Sequence, residues 1–192
     1  MLLTIFWGFV MPLPIETERL IVRRFGPDDF EDRLAYLSDP EVAQYEYWSP
    51  YTAKGLETEI HGQEAETQLF AEGRWRELAV ELKAERKVIG NVSLKVLSRQ
   101  HRMAEAGWVL NRCYQGQGFA TEAGNAVLDL AFSDLDLYWV VAFCDVRNAP
   151  SYRLMERLGM RRQACHRRSK FAKGEWRDEY VYSIVAPEWQ GG

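Results

Sequence analysis

Apolar residues recur along this chain with two periods, and the switches between them lay out its elements. Leu20, Ile21 and Val22 form an apolar run within residues 18–25 that stops at Gly26-Pro27, a strand entering a turn. Asp28 and Asp29 then suit a first helical turn, and Phe30, Leu34 and Leu37 follow at helical spacing. Asp39-Pro40 breaks that helix, and residues 42–45 read as one further turn. Thr52 suits the cap of the next helix, with Leu56, Ile60, Thr67 and Phe70 as its inner face and Gly73 as its stop. Alternation of period two begins at Leu78, Val80 and Leu82, turns at residues 84–87, and returns at Gly90, Val92, Leu94 and Val96, which predicts a hairpin. A third strand spans 103–110. Residues 138–145 are almost continuously apolar, as in a strand covered on both faces. Between these two, Ala120, Ala123, Val127, Leu130 and Ala131 share one helix face. Asn148-Ala149-Pro150 opens another helix with a capping Asn and an early Pro; its buried side is Tyr152, Met155 and Leu158, and Gly159 ends it. Strands over 160–171 and 176–186, joined at Lys173-Gly174, complete the pattern.

The order β-α-α-β-β-β-α-β-α-β-β predicts one α/β (α+β) domain over residues 16–187. Its mixed sheet has seven strands and is mostly antiparallel, with one parallel β-α-β unit built in. Residues 1–15 form an N-terminal arm. Met1 to Val10 are apolar and uncharged, too short to span a bilayer and without the basic start of a signal peptide. Two readings stand for them: a docking arm, or an upstream start with Met11 as the true beginning.

Composition narrows the function. With 192 residues, 47% of them hydrophobic, the chain has enough material for one substantial core. A formal net charge of −4 supplies no basic field for nucleic acid, and no membrane association is expected. The three cysteines (Cys113, Cys144, Cys165) and three histidines fall in no metal-ligand or disulfide spacing, so a reduced, cytoplasmic, metal-free protein is expected. Of the seven tryptophans, Trp7, Trp48 and Trp75 fall near element ends, where they serve as core or as an apolar pocket wall.

The most chemical stretch is Gln115-Gly116-Gln117-Gly118-Phe119-Ala120-Thr121-Glu122, a glycine turn between a strand and a helix. Glycines admit close backbone approach, and the first amides of a helix point at bound anions, so the turn reads as a pyrophosphate cradle. It lacks the third glycine of a dinucleotide fingerprint and the G-K-[ST] of a nucleotide-triphosphate loop, and it lies in mid-chain after a hairpin. The remaining pattern is Q-x-x-G-x-A, at Gln115, Gly118 and Ala120.

On these residues the chain resembles the GNAT superfamily of acyl-CoA-dependent N-acetyltransferases, and within it the ribosomal-protein N-terminal (RimJ/RimL-like) branch. The resemblance runs from Glu16 to Val185 and is carried by Glu16-Thr17-Glu18-Arg19-Leu20, Ser38-Asp39-Pro40-Glu41-Val42 and residues 114–123. Further carriers are Asn148-Ala149-Pro150-Ser151, residues 154–160 and Gly174-Glu175-Trp176-Arg177-Asp178. It implies acetyl-CoA as cosubstrate in a cleft where strands 103–110 and 138–145 splay apart. Backbone groups near Val109 and Leu110 would bond the pantetheine arm, and amides from Gln115 to Thr121 (Gln115, Gly116, Gln117, Gly118, Phe119, Ala120, Thr121) would hold the pyrophosphate. It further implies that Asn148 contacts the pantetheine and that Ser151 protonates the departing sulfur, with Tyr152 as the rival proton donor; helix capping alone is the plain alternative for Asn148 and Ser151. A homodimer is common in that branch.

Glu105 is the candidate general base, because an acid flanked by Ala104, Ala106 and Trp108 can be desolvated; a solvated strand edge is the alternative. Some members carry a glutamate base in the penultimate strand, where this chain has Lys170. The acceptor is a primary amine, either a protein N-terminus or a small molecule. Tyr45, Glu46, Tyr47, Trp48 and Tyr51 form an aromatic and acidic cluster that suits a cationic amine, core packing or a lid. Residues 166–170 are basic, suiting an acidic acceptor or a strand edge blunted by charge. Cys113 adjoins the cradle without a histidine partner, so direct attack in a ternary complex is expected. The alternatives are a non-catalytic acyl-CoA sensor on the same fold and transfer of a longer acyl group such as succinyl.

Overall fold

A computed structural model of the chain describes residues 13–64 and 70–191. Its strands are β1 (Ile15–Glu16), β2 (Leu20–Arg23), β3 (Trp75–Leu82), β4 (Lys87–Ser98), β5 (Met103–Leu110), β6 (Trp139–Asp145), β7 (Arg161–Ala172) and β8 (Glu175–Val185). The helices are α1 (Phe30–Leu37), α2 (Pro40–Ala43), α3 (Ala53–Glu64), α4 (Phe119–Asp129) and α5 (Ala149–Arg157). The sheet runs β1-β2-β3-β4-β5-β6-β8-β7 and is antiparallel everywhere except between β5 and β6. Among the described residues eight strands stand where seven are predicted. The added one is the two-residue β1, whose Ile15 pairs with Val22, too short to leave an alternating signal. The predicted arm lies, up to residue 12, outside the described residues.

Alternation along the strands sends side chains to two separate cores. Leu78 and Val80 join α4 and α5 on one face, packing with Val127, Leu130, Leu154 and Met155. Ala79 faces the other way, to Tyr36 and Leu37 of α1 and Leu56 of α3. Phe70 departs from the sequence reading. It is buried against the α4 side, not beside Leu56, and its φ of 61° puts it in a turn rather than a helix. Thr67 lies outside the described residues.

The functional consequence of the topology is a gap. β5 stays paired with β4 as far as Leu110, and β6 stays paired with β8 as far as Asp145. Between themselves, β5 and β6 pair only at Met103–Trp139, Ala104–Val140 and Glu105–Val141. Beyond Glu105 the two diverge, so the β6-facing edge of residues 106–110 has no strand partner. β7 forms the far edge of the sheet, and its basic residues are exposed, which fits the charge-blunted edge of the two readings. Among the described residues no helix is long and apolar enough to cross a membrane.

Candidate active site

The divergence of β5 and β6 opens a cleft of about 1250 Å³. Its walls include Trp108, Val109 and Leu110 of β5, Gln115, Gly116, Gly118, Ala120 and Thr121 of the turn into α4, and Asn148 and Ser151 of α5. The turn adopts the backbone that its glycines allow: Gly116 and Gly118 have φ of 75° and 85°. Gly118 caps α4, and a Cβ added there would lie 3.3 Å from Arg19 Nη2, while one at Gly116 would meet nothing within 4 Å. The Gln115 amide bonds back to Arg112 and the Thr121 amide to Gly118, so the N–H groups of residues 116–120 between them have no partner among the described residues. A run of free donors at the start of an eleven-residue helix is what a diphosphate needs. Leu110 differs in one respect from expectation: its carbonyl accepts from Gln115 Nε2 at 3.0 Å. Gln117 Nε2 likewise closes on the Cys113 carbonyl at 3.1 Å.

A brace from the first strands, to which the sequence reading gave no role, holds this turn. Arg19 Nε donates to Glu122 Oε2 and the Arg19 amide to Glu122 Oε1, both at 2.7 Å. The same guanidinium donates to the Gln117 carbonyl at 3.0 Å and lies 4.4 Å from the centre of the Phe119 ring. Thr17 completes the set, its hydroxyl 2.5 Å from Glu122. Burial works to raise the Glu122 carboxyl, but Thr17 and Arg19 outweigh it and hold the group below the ordinary carboxylate range. A second addition is Arg157 of α5, which borders the cleft and donates to Thr121 Oγ1 at 3.2 Å, a cation beside the cradle.

At the inner end, Asn148 caps α5 by accepting from the Ser151 amide at 3.2 Å. The Ser151 hydroxyl oxygen accepts from Trp108 Nε1 at 3.2 Å. Burial pushes the Cys144 thiol up to about 12, against the lowering influence of the Ser151 hydroxyl, so Cys144 stays a neutral thiol. Tyr152 packs edge-on against Tyr180, with ring centres 5.7 Å apart, and is absent from the cleft wall. Of the two proposed proton donors, the fold brings only Ser151 to the cleft.

Behind Ser151 a small pocket of about 70 Å³ occupies the mouth of the gap, walled by residues 106–108, 143–145 and 45–47 with Asn148 and Ser151. The cluster at 45–51 therefore divides. Tyr45, Glu46 and Tyr47 face this pocket, whereas Trp48 packs at a tilt against Tyr51, ring centres 5.5 Å apart, beside the α1–α3 core. Trp75 is 42% exposed, with the Lys95 ammonium 5.8 Å from its ring centre. Tyr47 donates to Glu179, which also accepts from Ser169 Oγ at 2.6 Å and is 2% exposed. Burial and that bond push the Tyr47 phenol up. Lys170 stands over the Tyr47 ring at 5.0 Å. Glu105 lies next to these groups but borders neither cavity. Burial raises its carboxyl, Lys95 and Lys170 oppose that, and Glu179 adds to it.

Among the described residues no cluster of His, Cys, Asp and Glu could hold a metal ion, and Cys113, Cys144 and Cys165 are unpaired. A splayed parallel pair feeding a glycine-capped helix, with a hydroxyl at the gap's inner end, defines an acyl-CoA-dependent transferase. The acetyltransferase (GNAT) domain family matches residues 19–161, and the chain belongs to that family. It is 34% identical over 178 residues to the uncharacterised N-acetyltransferase YnaD of Bacillus subtilis, covering 91% of this chain and 98% of that one. A GNAT-family acetyltransferase from Bacillus anthracis superposes with a TM-score of 0.80 at 32% identity, covering 91% and 99% of the two chains. Spermidine N-acetyltransferase from Vibrio cholerae, solved with CoA and spermine, shares the fold with a TM-score of 0.77 at 23% identity, over 90% and 98%. The protein is an N-acetyltransferase, and acetyl-CoA is its cosubstrate.

Proposed function

We propose that the protein transfers acetyl from acetyl-CoA to a primary amine, on a small molecule or a protein N-terminus, by direct attack with both substrates bound. One observation carries this reading: the cofactor cleft and the small pocket share a border at Ser151, so a thioester lying along residues 108–110 ends beside a separate opening for the acceptor. The diphosphate is held by the free amides of residues 116–120 with Arg157 alongside, and the pantetheine pairs with the open edge of Val109 and Leu110 as an added strand. Gln115 then releases the Leu110 carbonyl to the pantetheine or keeps it as part of the wall.

Ser151 delivers the proton to the departing sulfur. The Trp108 N–H occupies one lone pair of its oxygen, which fixes the hydroxyl and makes it the better donor. Asn148 sets the helix start that aims it. The acidic and aromatic lining supplied by Glu46, Asp145, Tyr45, Tyr47 and Phe143 favours a cationic amine. Glu105 adds negative potential beside Tyr47. Membership of the RimJ/RimL-like branch is supported by Asn148 and Ser151, and three unpaired cysteines suit the cytoplasm.

Calorimetry with coenzyme A and thiol release from acetyl-CoA across amines, polyamines and peptides with free N-termini test the reading. Micromolar coenzyme A binding with acceptor-dependent thiol release supports it. A folded protein that ignores coenzyme A at millimolar levels would overturn it. Succinyl-CoA in the same assay decides whether the acyl pocket takes a longer chain.

A further inference from the structure

Five residues border both the cofactor cleft and the small pocket: Tyr45, Glu46, Trp108, Asn148 and Ser151. Among them Glu46 alone carries a carboxylate. The neighbouring acids are committed elsewhere. Asp145 takes Arg147 Nε at 2.9 Å and Nη2 at 2.6 Å, with Arg177 at 3.8 Å. Glu179 accepts from Tyr47 and Ser169, and Glu105 stands outside both cavities between Lys95 and Lys170. The Glu46 side chain makes no hydrogen bond or ion pair with any described residue. Its position comes from the backbone on either side, which β7, β8 and the turn between them hold down. Lys173 Nζ donates to the Ala43 carbonyl, Arg177 Nη1 to the Gln44 carbonyl at 3.3 Å, and Tyr47 to Glu179. An acid without a partner among the described residues, at a border between donor and acceptor spaces and on a loop fixed by others, is placed to act on a substrate.

We infer that Glu46 is the general base of the transfer, taking the proton of the acceptor ammonium at the mouth of the small pocket; this rests on the acetyl-transfer reading above. The ammonium gives one proton to the Glu46 carboxylate, and the freed nitrogen lone pair attacks the thioester carbonyl carbon. The tetrahedral adduct collapses as the C–S bond breaks and its electron pair leaves with sulfur. Ser151 hands its proton to that sulfur and recovers one from the adduct's N–H, directly or through water. Amide, free coenzyme A thiol and the proton on Glu46 balance the ammonium and thioester that entered.

The groups facing Glu46 agree with this role. Burial raises its carboxyl to about 7, and Lys173 works against that rise. Tyr47 and Cys144 are neutral neighbours, Asp145 and Glu179 are held by the partners named above, and Arg147 and Arg177 are bound to carboxylates. Glu105 acts on the neighbouring Tyr47. A base that titrates near neutrality is matched to an α-amino group, of pKa about 7.7–8.0, better than to a lysine amine at about 10.4.

The test compares wild type, Glu46→Gln and Glu105→Gln with acetyl-CoA and three acceptors: a peptide with a free N-terminus, spermidine, and hydroxylamine, whose nitrogen is already unprotonated at neutral pH. Glu46→Gln should lower kcat/KM for the peptide or spermidine by about 10²–10⁴-fold. It should also erase the acidic limb of the pH profile, leave hydroxylamine acetylation near wild type, and keep coenzyme A binding by calorimetry. An acidic limb that survives in Glu46→Gln, or one that disappears in Glu105→Gln instead, overturns the assignment while leaving acetyl transfer intact. A wild-type protein that binds coenzyme A yet acetylates none of the three refutes the transfer reading itself, and the base with it. If Glu46→Gln does not fold, Glu46→Asp decides: a slower enzyme with its acidic limb retained supports the role, and an unchanged rate overturns it.

Discussion

Trp108 and Asn148 fix Ser151, one holding its oxygen at 3.2 Å and the other its amide. On the proposed role of Ser151 as proton donor, Ser151→Ala leaves the cradle untouched, so kcat should fall about 10²-fold or more while coenzyme A affinity stays, as stopped-flow thiol release and calorimetry would show. Trp108 carries no such signal in the sequence, where it reads as one more apolar residue of a strand. Arg19 is similar. It belongs to a stretch that carries family resemblance, but its task is visible only once β2 lies beside α4, 103 residues away along the chain. Arg19→Ala frees the Gln117 carbonyl and one side of Glu122, so coenzyme A affinity should weaken by about tenfold, or ~1.4 kcal/mol in calorimetry. Glu46 and Tyr47 stand out in the sequence as an acidic, aromatic pair. What each does depends on Glu179, 132 residues beyond Tyr47, and that pairing leaves no local mark.

Helices and strands are legible in the sequence where periodicity is long. The hairpin of β3 and β4, the crossover through α4 and the Asn-capped α5 all follow their patterns. Periodicity failed at Phe70 because an apolar residue at helical spacing from Leu56 says nothing about which side of the sheet it fills. The splay of β5 from β6 came from family resemblance alone, since nothing in either strand's composition marks where pairing ends. Packing of α4 on α5 adds a constraint that composition also hides. A Cβ on Gly124 would lie 2.8 Å from Leu158 Cδ1 and 3.0 Å from Cδ2, on a side chain that is itself buried. Gly124→Ala gains up to about 1 kcal/mol of helix propensity but overpacks that contact at about 1–3 kcal/mol. A net loss of about 1 kcal/mol, read as a lowered urea midpoint with unchanged slope, is expected.

Across the folded chain, two groups of carboxyls respond to acid in opposite ways. Asp29, Asp145 and Glu122 are held below the ordinary range. Burial alone would raise them, and their arginine, amide and hydroxyl partners prevail. Their contribution is present above the unfolded carboxylate range and is lost as pH falls through their lowered values. Glu46, Glu77 and Glu105 are raised by burial, so the folded state binds protons there that the unfolded state has already released, and stability falls as pH rises through that window. For Glu46 the window runs from the ordinary range up to about 7. The urea midpoint of wild type should therefore climb relative to Glu46→Gln as pH drops from about 8 to about 5.5. A constant difference between the two proteins would show that Glu46 is not desolvated. None of this is legible from composition, which reports a net charge of −4 but not which acids are enclosed.

The proposed diphosphate grip is anchored by Arg19, just before β2, and by α4, whereas the rim around Glu46 hangs from the β7–β8 hairpin through Lys173 and Arg177. These are separate attachments, so lengthening or recutting that distal finger can change which amines are admitted without loosening the hold on the nucleotide. A lineage built on this scaffold is free to exchange its clientele while keeping one common currency.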